Sequence, residues 1–305
     1  MNCSDLIENL IKYNTLYIIG NGFDLYHKLH TSTEDYCDIL SSKEVYGSFD
    51  NANEVFKDYG NNWGEYEKSL GYIDLETIDE EIVNFPDYLS DHESDRDGTI
   101  WYVNEHLSSL SGAAFESLGE MVEGANDEIN DTEVLITNVF KFATAIISFN
   151  YTSTVEKLYK PISAPILHIH GYYEDGEKLL FGYKEGNNSK DYRNKYMDPS
   201  DDSRDYYVDA QRECIAGFYD GLKKELQLSK LREFLSGLPG LIKTVCVMGH
   251  SMSDVDCDYM ELIDRIIQPK QWYISQFYDT PSREELKKYS FENKVVFYSL
   301  NDLSI

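Results

Sequence analysis

Strand-like and helix-like segments take turns along the last part of the chain. TVCVMG (244–249) reads as a strand, and Ser253-Asp254-Val255-Asp256 stands where it can cap the helix DYMELIDRII (258–267). QWYISQFY (271–278) reads as a second strand, Thr280-Pro281 as the opening of another helix, and KVVFYSL (294–300) as a third strand. Repetition of this kind predicts an α/β fold, a Rossmann-like, mostly parallel sheet with helices on both faces. In such sheets ligands sit beyond the carboxyl ends of the strands. The loops that follow strands are therefore where chemistry is expected.

Further strands are predicted at LYII (16–19), TAIISFN (144–150), PILHIHG (165–171) and KLLFG (178–182). Between about 36 and 141 the apolar residues are sparse and helically spaced among acids and tyrosines, as in AFESLGEMVEGANDEI, which predicts a largely helical insertion or cap. The polar stretch at about 184–209 has too few apolar residues to pack and is expected to be a surface loop or lid. A helix is expected over 210–235, and Thr31-Ser32-Thr33-Glu34 has the spacing of a capping box. The whole is read as one nucleotide-binding domain over 1–305.

Charge narrows the partners. Fifty-five acidic residues against 27 basic ones give a net charge of −28. Nucleic-acid binding relies on neutralising phosphates with Lys and Arg, and the best basic cluster, Lys223, Lys224, Lys230 and Arg232, is interrupted by Glu225 and Glu233. Direct nucleic-acid partners and anionic membranes are thus disfavoured. The five cysteines are scattered without a CxxC, which argues against a disulfide framework or a zinc site, so no metal is predicted. Without a signal peptide or a long apolar run, the chain is expected in the cytoplasm.

Four loops carry candidate chemistry. Gly20-Asn21-Gly22-Phe23-Asp24 follows a strand and opens a helix, an arrangement that lets backbone amides hold a phosphate without lysines; a tight turn needing glycine is the equal alternative. Leu25 occupies the third glycine position of the hydride-transfer fingerprint, and no Gly-Lys-Ser/Thr follows, so dehydrogenase and P-loop readings fall. Asp24 is read as capping amides or meeting a ribose hydroxyl. Asn150 and Thr152 in SFNYT, and His168 and His170 in HIHG, end two other strands; two core histidines or a metal half-site without a third ligand are the competing readings of the pair. Gly249-His250-Ser251 follows a fourth strand, with Ser251 able to reach a ribose or phosphate, or simply to cap a turn. Glu65, Glu67, Asp254 and Asp256 are read as solvated or capping acids, with a metal-dependent nuclease as the weaker alternative.

In their order and spacing IIGNGFDLYHKLHTS, SFNYTSTVEKLY, HIHG, VMGHSMSDVDCDYMELI and the Trp63, Glu65 and Glu67 of NNWGEYEKSL resemble the bacterial AbiH abortive-infection family, associated with defence against bacteriophage. That family in turn resembles sirtuin-type NAD-binding proteins. The resemblance implies NAD as substrate or ligand, with Gly20 and Gly22 at its pyrophosphate. It further implies Asn150 beside the nicotinamide ribose, His170 as base, and Gly249 and Ser251 holding the cofactor. The chain lacks the sirtuin four-cysteine zinc module, which argues against deacetylation, and it has Thr152 where sirtuins carry an Asp. Two functions are expected from this: an NAD glycohydrolase acting as a defence effector, or a sensor that binds NAD or ADP-ribose without cleaving it. The helical middle and the polar loop are expected to gate the site, and a second copy of the chain or a phage-derived trigger to act as partner.

Overall fold

The computed structural model describes residues 3–12, 14–56, 62–160, 162–198, 200, 203–238 and 242–304. Six strands form one sheet: β1 (Thr15–Ile19), β2 (Ala143–Ser148), β3 (Ile166–His168), β4 (Thr244–Met248), β5 (Gln271–Ser275) and β6 (Val295–Tyr298). All neighbouring pairs are parallel, in the order β3-β2-β1-β4-β5-β6. That is the order of doubly wound dinucleotide folds, in which chain direction across the sheet reverses between β1 and β4.

The central strands β1 and β4 are buried at every position, which is why TLYII and TVCVM read as unbroken apolar runs. Side chains alternate between two cores because strand residues two apart share a face. Leu16, Ile18, Ala145, Ile147, Val245, Val247, Trp272 and Ile274 meet the helices Leu228–Ser236 and Cys257–Ile267. Tyr17, Ile19, Ile146, Cys246, Met248 and Tyr273 meet Leu6 and Leu10 of the helix Cys3–Lys12, Phe23 of Asn21–Tyr26, and Val155. Helices therefore cover both faces. Register fixes the edge: Ile19 lies opposite both Ser148 and Met248, and Ser148 lies opposite His168. Four strand ends stop level with one another.

Two compact units divide the chain. One comprises residues 1–32, 121–180 and 226–305 and holds the sheet; the other comprises 33–120 and 181–225. Among its described residues the second unit is helical, with Thr33–Ser41, Trp63–Leu70, Leu75–Ile82, Asn188–Tyr196, Tyr206–Gly221 and the part of Glu93–Glu128 up to Glu120. Asn62, Asp74 and Asp205 cap three of these helices with side-chain oxygens on early amides. Its core stacks Tyr66 on Phe181 at 5.9 Å, with Tyr36 edge-on to Tyr66 at 5.4 Å. Beside them Lys224 Nζ, fully buried, donates to both carboxylate oxygens of Glu67 at 2.9 and 3.0 Å.

Several expected elements differ. KLLFG forms no strand; past Gly171, whose φ is +95°, one bond from Leu180 N to His170 O takes the place of a ladder. The single helix expected over 210–235 is two, Tyr206–Gly221 and Leu228–Ser236. Between them Lys224 N donates to Tyr183 O, and its side chain turns in to Glu67, so the chain leaves the helical path. Within the polar stretch 184–209, residues Asn188–Tyr196 are helical, because Tyr192 is buried and donates to Asp79 while Arg193 pairs with Glu213 and Asp220. Pro199, Asp201 and Asp202 of that stretch lie outside the described residues. Thr280-Pro281 is a cis peptide and opens only the 3₁₀ turn Glu285–Lys288, since Leu286, Tyr289 and Phe291 seat against Trp272 at spacings of three and two, not on a helical stripe. Phe291 lies flat on Trp272, centroids 3.9 Å apart.

Candidate site at the carboxyl edge of the sheet

The four loops chosen from the sequence leave the sheet from this one edge, inside the sheet-bearing unit. The turn after β1 and the turn after β4 lie face to face. Gly20 N donates to Met248 O at 2.9 Å, Gly22 N to Gly249 O at 2.7 Å, and Phe23 N back to Gly20 O at 2.8 Å. A Cβ on Gly20 would stand 2.6 Å from His250 Cα, and one on Gly22 2.8 Å from Gly249 O. Gly249 has φ +67°, and its Cβ would fall 2.1 Å from Phe23 N. The glycines thus let two turns close on each other, and the amides of Gly22 and Phe23 are taken by carbonyls. Asn21 Nδ2 donates to Thr31 O at 2.8 Å. Phe23 is core: its ring meets His27, Tyr159 and Phe140.

Asn150, just past β2, is buried and donates from Nδ2 to Gly20 O at 3.2 Å, tying the two loops together. Asp24 is 1% exposed, and its Oδ2 accepts from Thr152 Oγ1 at 2.6 Å; Thr152 is in turn 3.0 Å from Thr154 Oγ1. Burial raises the Asp24 carboxyl and the charge of Glu156 adds to the rise, against the hydrogen bonds of Thr152, Thr154 and Asn150, which leaves it at about 6. That places a carboxyl close to neutrality in the site. Thr152 therefore serves the protein's own Asp24.

The two histidines of HIHG serve different partners. His168 bridges the Asn150 carbonyl (Nδ1, 3.1 Å) and Glu156 (Nε2, 2.6 Å), with its ring stacked on Tyr172 at 4.1 Å. It holds the Asn150 loop in place. His170 Nε2 lies 3.3 Å from Asp256 Oδ1, and His250 Nε2 lies 3.5 Å from Asp256 Oδ2. Met252 N donates to His250 Nδ1 at 2.9 Å, so the neutral ring carries its proton on Nε2, towards Asp256. The Phe149 ring packs edge-on to both imidazoles, at 5.0 and 4.5 Å, and Tyr259 flanks His170 at 5.9 Å. One buried carboxylate is thus shared by two buried imidazoles, an arrangement that orients a base. Ser251 is half-buried in the turn after β4.

Asp256 is the residue that sequence reasoning misjudged. SDVD reads as a cap, yet Asp256 is buried at 6% exposure and makes no side-chain cap on the helix Cys257–Ile267. Glu156 was missed altogether, although it stands at a helical spacing beyond Thr152 in a loop already singled out. Of the other acids, Asp254 is exposed and paired with Lys288 at 2.5 Å, Glu65 is exposed, and Glu67 is held by Lys224. Among the described residues no three His, Cys, Asp or Glu side chains are grouped as metal ligands, and no helix is long and apolar enough to cross a membrane. Compared with known proteins, residues 16–278 match the family model described as bacteriophage abortive infection AbiH. No curated protein matches the chain.

Proposed function

This chain belongs to the AbiH bacteriophage abortive infection family, and from that premise we propose that it is a defence effector that binds NAD at the carboxyl edge of its sheet and hydrolyses the nicotinamide–ribose bond. The observation that carries the reading is one sheet edge, with four level strand ends, that presents the Asn150–Gly20 and Thr152–Asp24 bonds and the His170–Asp256 pair. Among the described residues buried Asn150 Oδ1 and Asp24 Oδ1 have no hydrogen-bond partner, and such oxygens suit the hydroxyl donors of a ribose. For a pyrophosphate to take the Gly22 N–H, that amide would have to leave Gly249 O. Cleavage develops oxocarbenium character at the ribose. Asn150 would orient the ribose, and His170, backed by Asp256, would take the proton of the attacking water.

The test is nicotinamide release from NAD by the full chain purified from uninfected and from phage-infected cells. Wild type from infected cells is expected to release nicotinamide, and His170→Ala to abolish it. Absence of release from both preparations sinks the hydrolytic reading. A second reading, a sensor that binds NAD or ADP-ribose without turnover, is favoured by the closed glycine seam and by Thr152 being bonded to Asp24. Calorimetry separates the two: heat of NAD binding with no nicotinamide formed selects the sensor.

A further inference from the structure

Breaking the nicotinamide–ribose bond releases a base that departs neutral and needs no proton, yet the most deeply buried ionisable group at this edge is an acid. Asp24 carries two features that a purely structural carboxylate avoids. Among the described residues no cation pairs with it; the charged group facing it is Glu156, itself held by His168, and His27 on its own helix is engaged by Phe23 O and Tyr159 Oη. Further, among the described residues Asp24 Oδ1 and Asn150 Oδ1 are buried and have no hydrogen-bond partner. Leaving a buried acceptor without a donor costs about 1–3 kcal/mol. A proton on Asp24 Oδ1 turns that acceptor into a donor and removes its penalty, whereas the hydrogen bonds of Thr152, Thr154 and Asn150 favour the ionised form, so the group can both hold a proton and give it up.

We propose that Asp24 is a catalytic acid, and that the site therefore takes purine ribonucleotides, whose base leaves the ribose only when it gains a proton. The proposal rests on the N-glycosidic reading of the same site. In the step, the C1′–N9 bond breaks with its electron pair passing to the purine, and the proton on Asp24 Oδ1 moves to a purine ring nitrogen. Water adds its oxygen to C1′ and gives its proton to the His170 imidazole. The products are the free purine and ribose phosphate, and solvent returns the proton from His170 to Asp24.

The experiment compares AMP and NAD as substrates of the full chain purified from phage-infected cells, with adenine and nicotinamide quantified by chromatography. Wild type is expected to release both. Asp24→Asn is expected to lose adenine release by about 100-fold or more, the range of general acid catalysis, and nicotinamide release by a factor at least about tenfold smaller, since only the contact to the ribose is lost there; equal losses of the two bases count against the proposal. Thr152→Ala serves as the second variant: it removes the donor that favours the ionised carboxyl, so the alkaline limb of adenine release moves to higher pH. Adenine release within tenfold of wild type in Asp24→Asn, or an unmoved limb in Thr152→Ala, overturns the proposal. Nicotinamide release without any adenine overturns it too and leaves the NAD reading standing. Release of neither base ends both.

Discussion

Replacing Gly249 by alanine tests whether the seam between the β1 and β4 turns is as tight as it stands. The new Cβ would lie 2.1 Å from Phe23 N and 2.4 Å from the Gly22 carbonyl carbon, more than an ångström inside ordinary contact, and both neighbours are backbone. Its φ of +67° adds the left-handed penalty of an L-residue, about 1–2 kcal/mol. Parting the loops breaks the 2.7 Å bond from Gly22 N to Gly249 O, which costs about 1–3 kcal/mol for a buried pair. With the displaced packing, Gly249→Ala should lose about 3–5 kcal/mol, a large share of the 5–15 kcal/mol that holds a typical domain folded. The assay is equilibrium urea unfolding, read on the transition of the sheet-bearing unit. Gly237→Ala is the control: its φ is −82°, and a Cβ there meets nothing nearer than 3.6 Å, so it should change stability by less than about 0.5 kcal/mol. A Gly249→Ala protein as stable as that control would refute the reasoning.

Two other consequences concern stability. Lys224→Met should cost about 3–5 kcal/mol, because it leaves the Glu67 carboxylate buried without its cation; combining it with Glu67→Gln should recover most of that loss, and thermal unfolding of the two variants decides the matter, no recovery counting against it. The Asp24 carboxyl, raised from 3.8 to about 6 in the folded protein, favours the protonated native state, so its contribution is full below the unfolded value and disappears as pH rises through about 6. Asp24→Asn should accordingly gain up to about 3 kcal/mol over wild type near pH 8 and nothing near pH 3; a difference that is the same at both pH values would show the carboxyl to be unperturbed.

What the sequence made legible follows from range. LYII and TVCVM announce central strands because burial on both faces demands unbroken apolar runs. The glycines, Asn150 and the histidines stand out because each follows such a run, and level register brings them to one edge. Elements held by distant partners were illegible. The helix Asn188–Tyr196 depends on Tyr192 reaching Asp79, 113 residues away, and the break before Leu228 depends on Lys224 reaching Glu67, 157 residues away. Asp256 carries the local signature of a cap, and only the folded chain shows its two oxygens turned towards His170 and His250.

The middle of the sheet joins strands that are far apart in the sequence and therefore in time. Thr15 of β1 lies beside Thr244 of β4, and the loops that close on one another come from residues 20–22 and 249–250. A ribosome adding about 5–20 residues per second has released the first glycine turn many seconds before its counterpart exists. Throughout translation the nascent protein therefore carries half a crevice, and a message cut short before β4 yields a product without the Gly249 and His250 that close on the first turn.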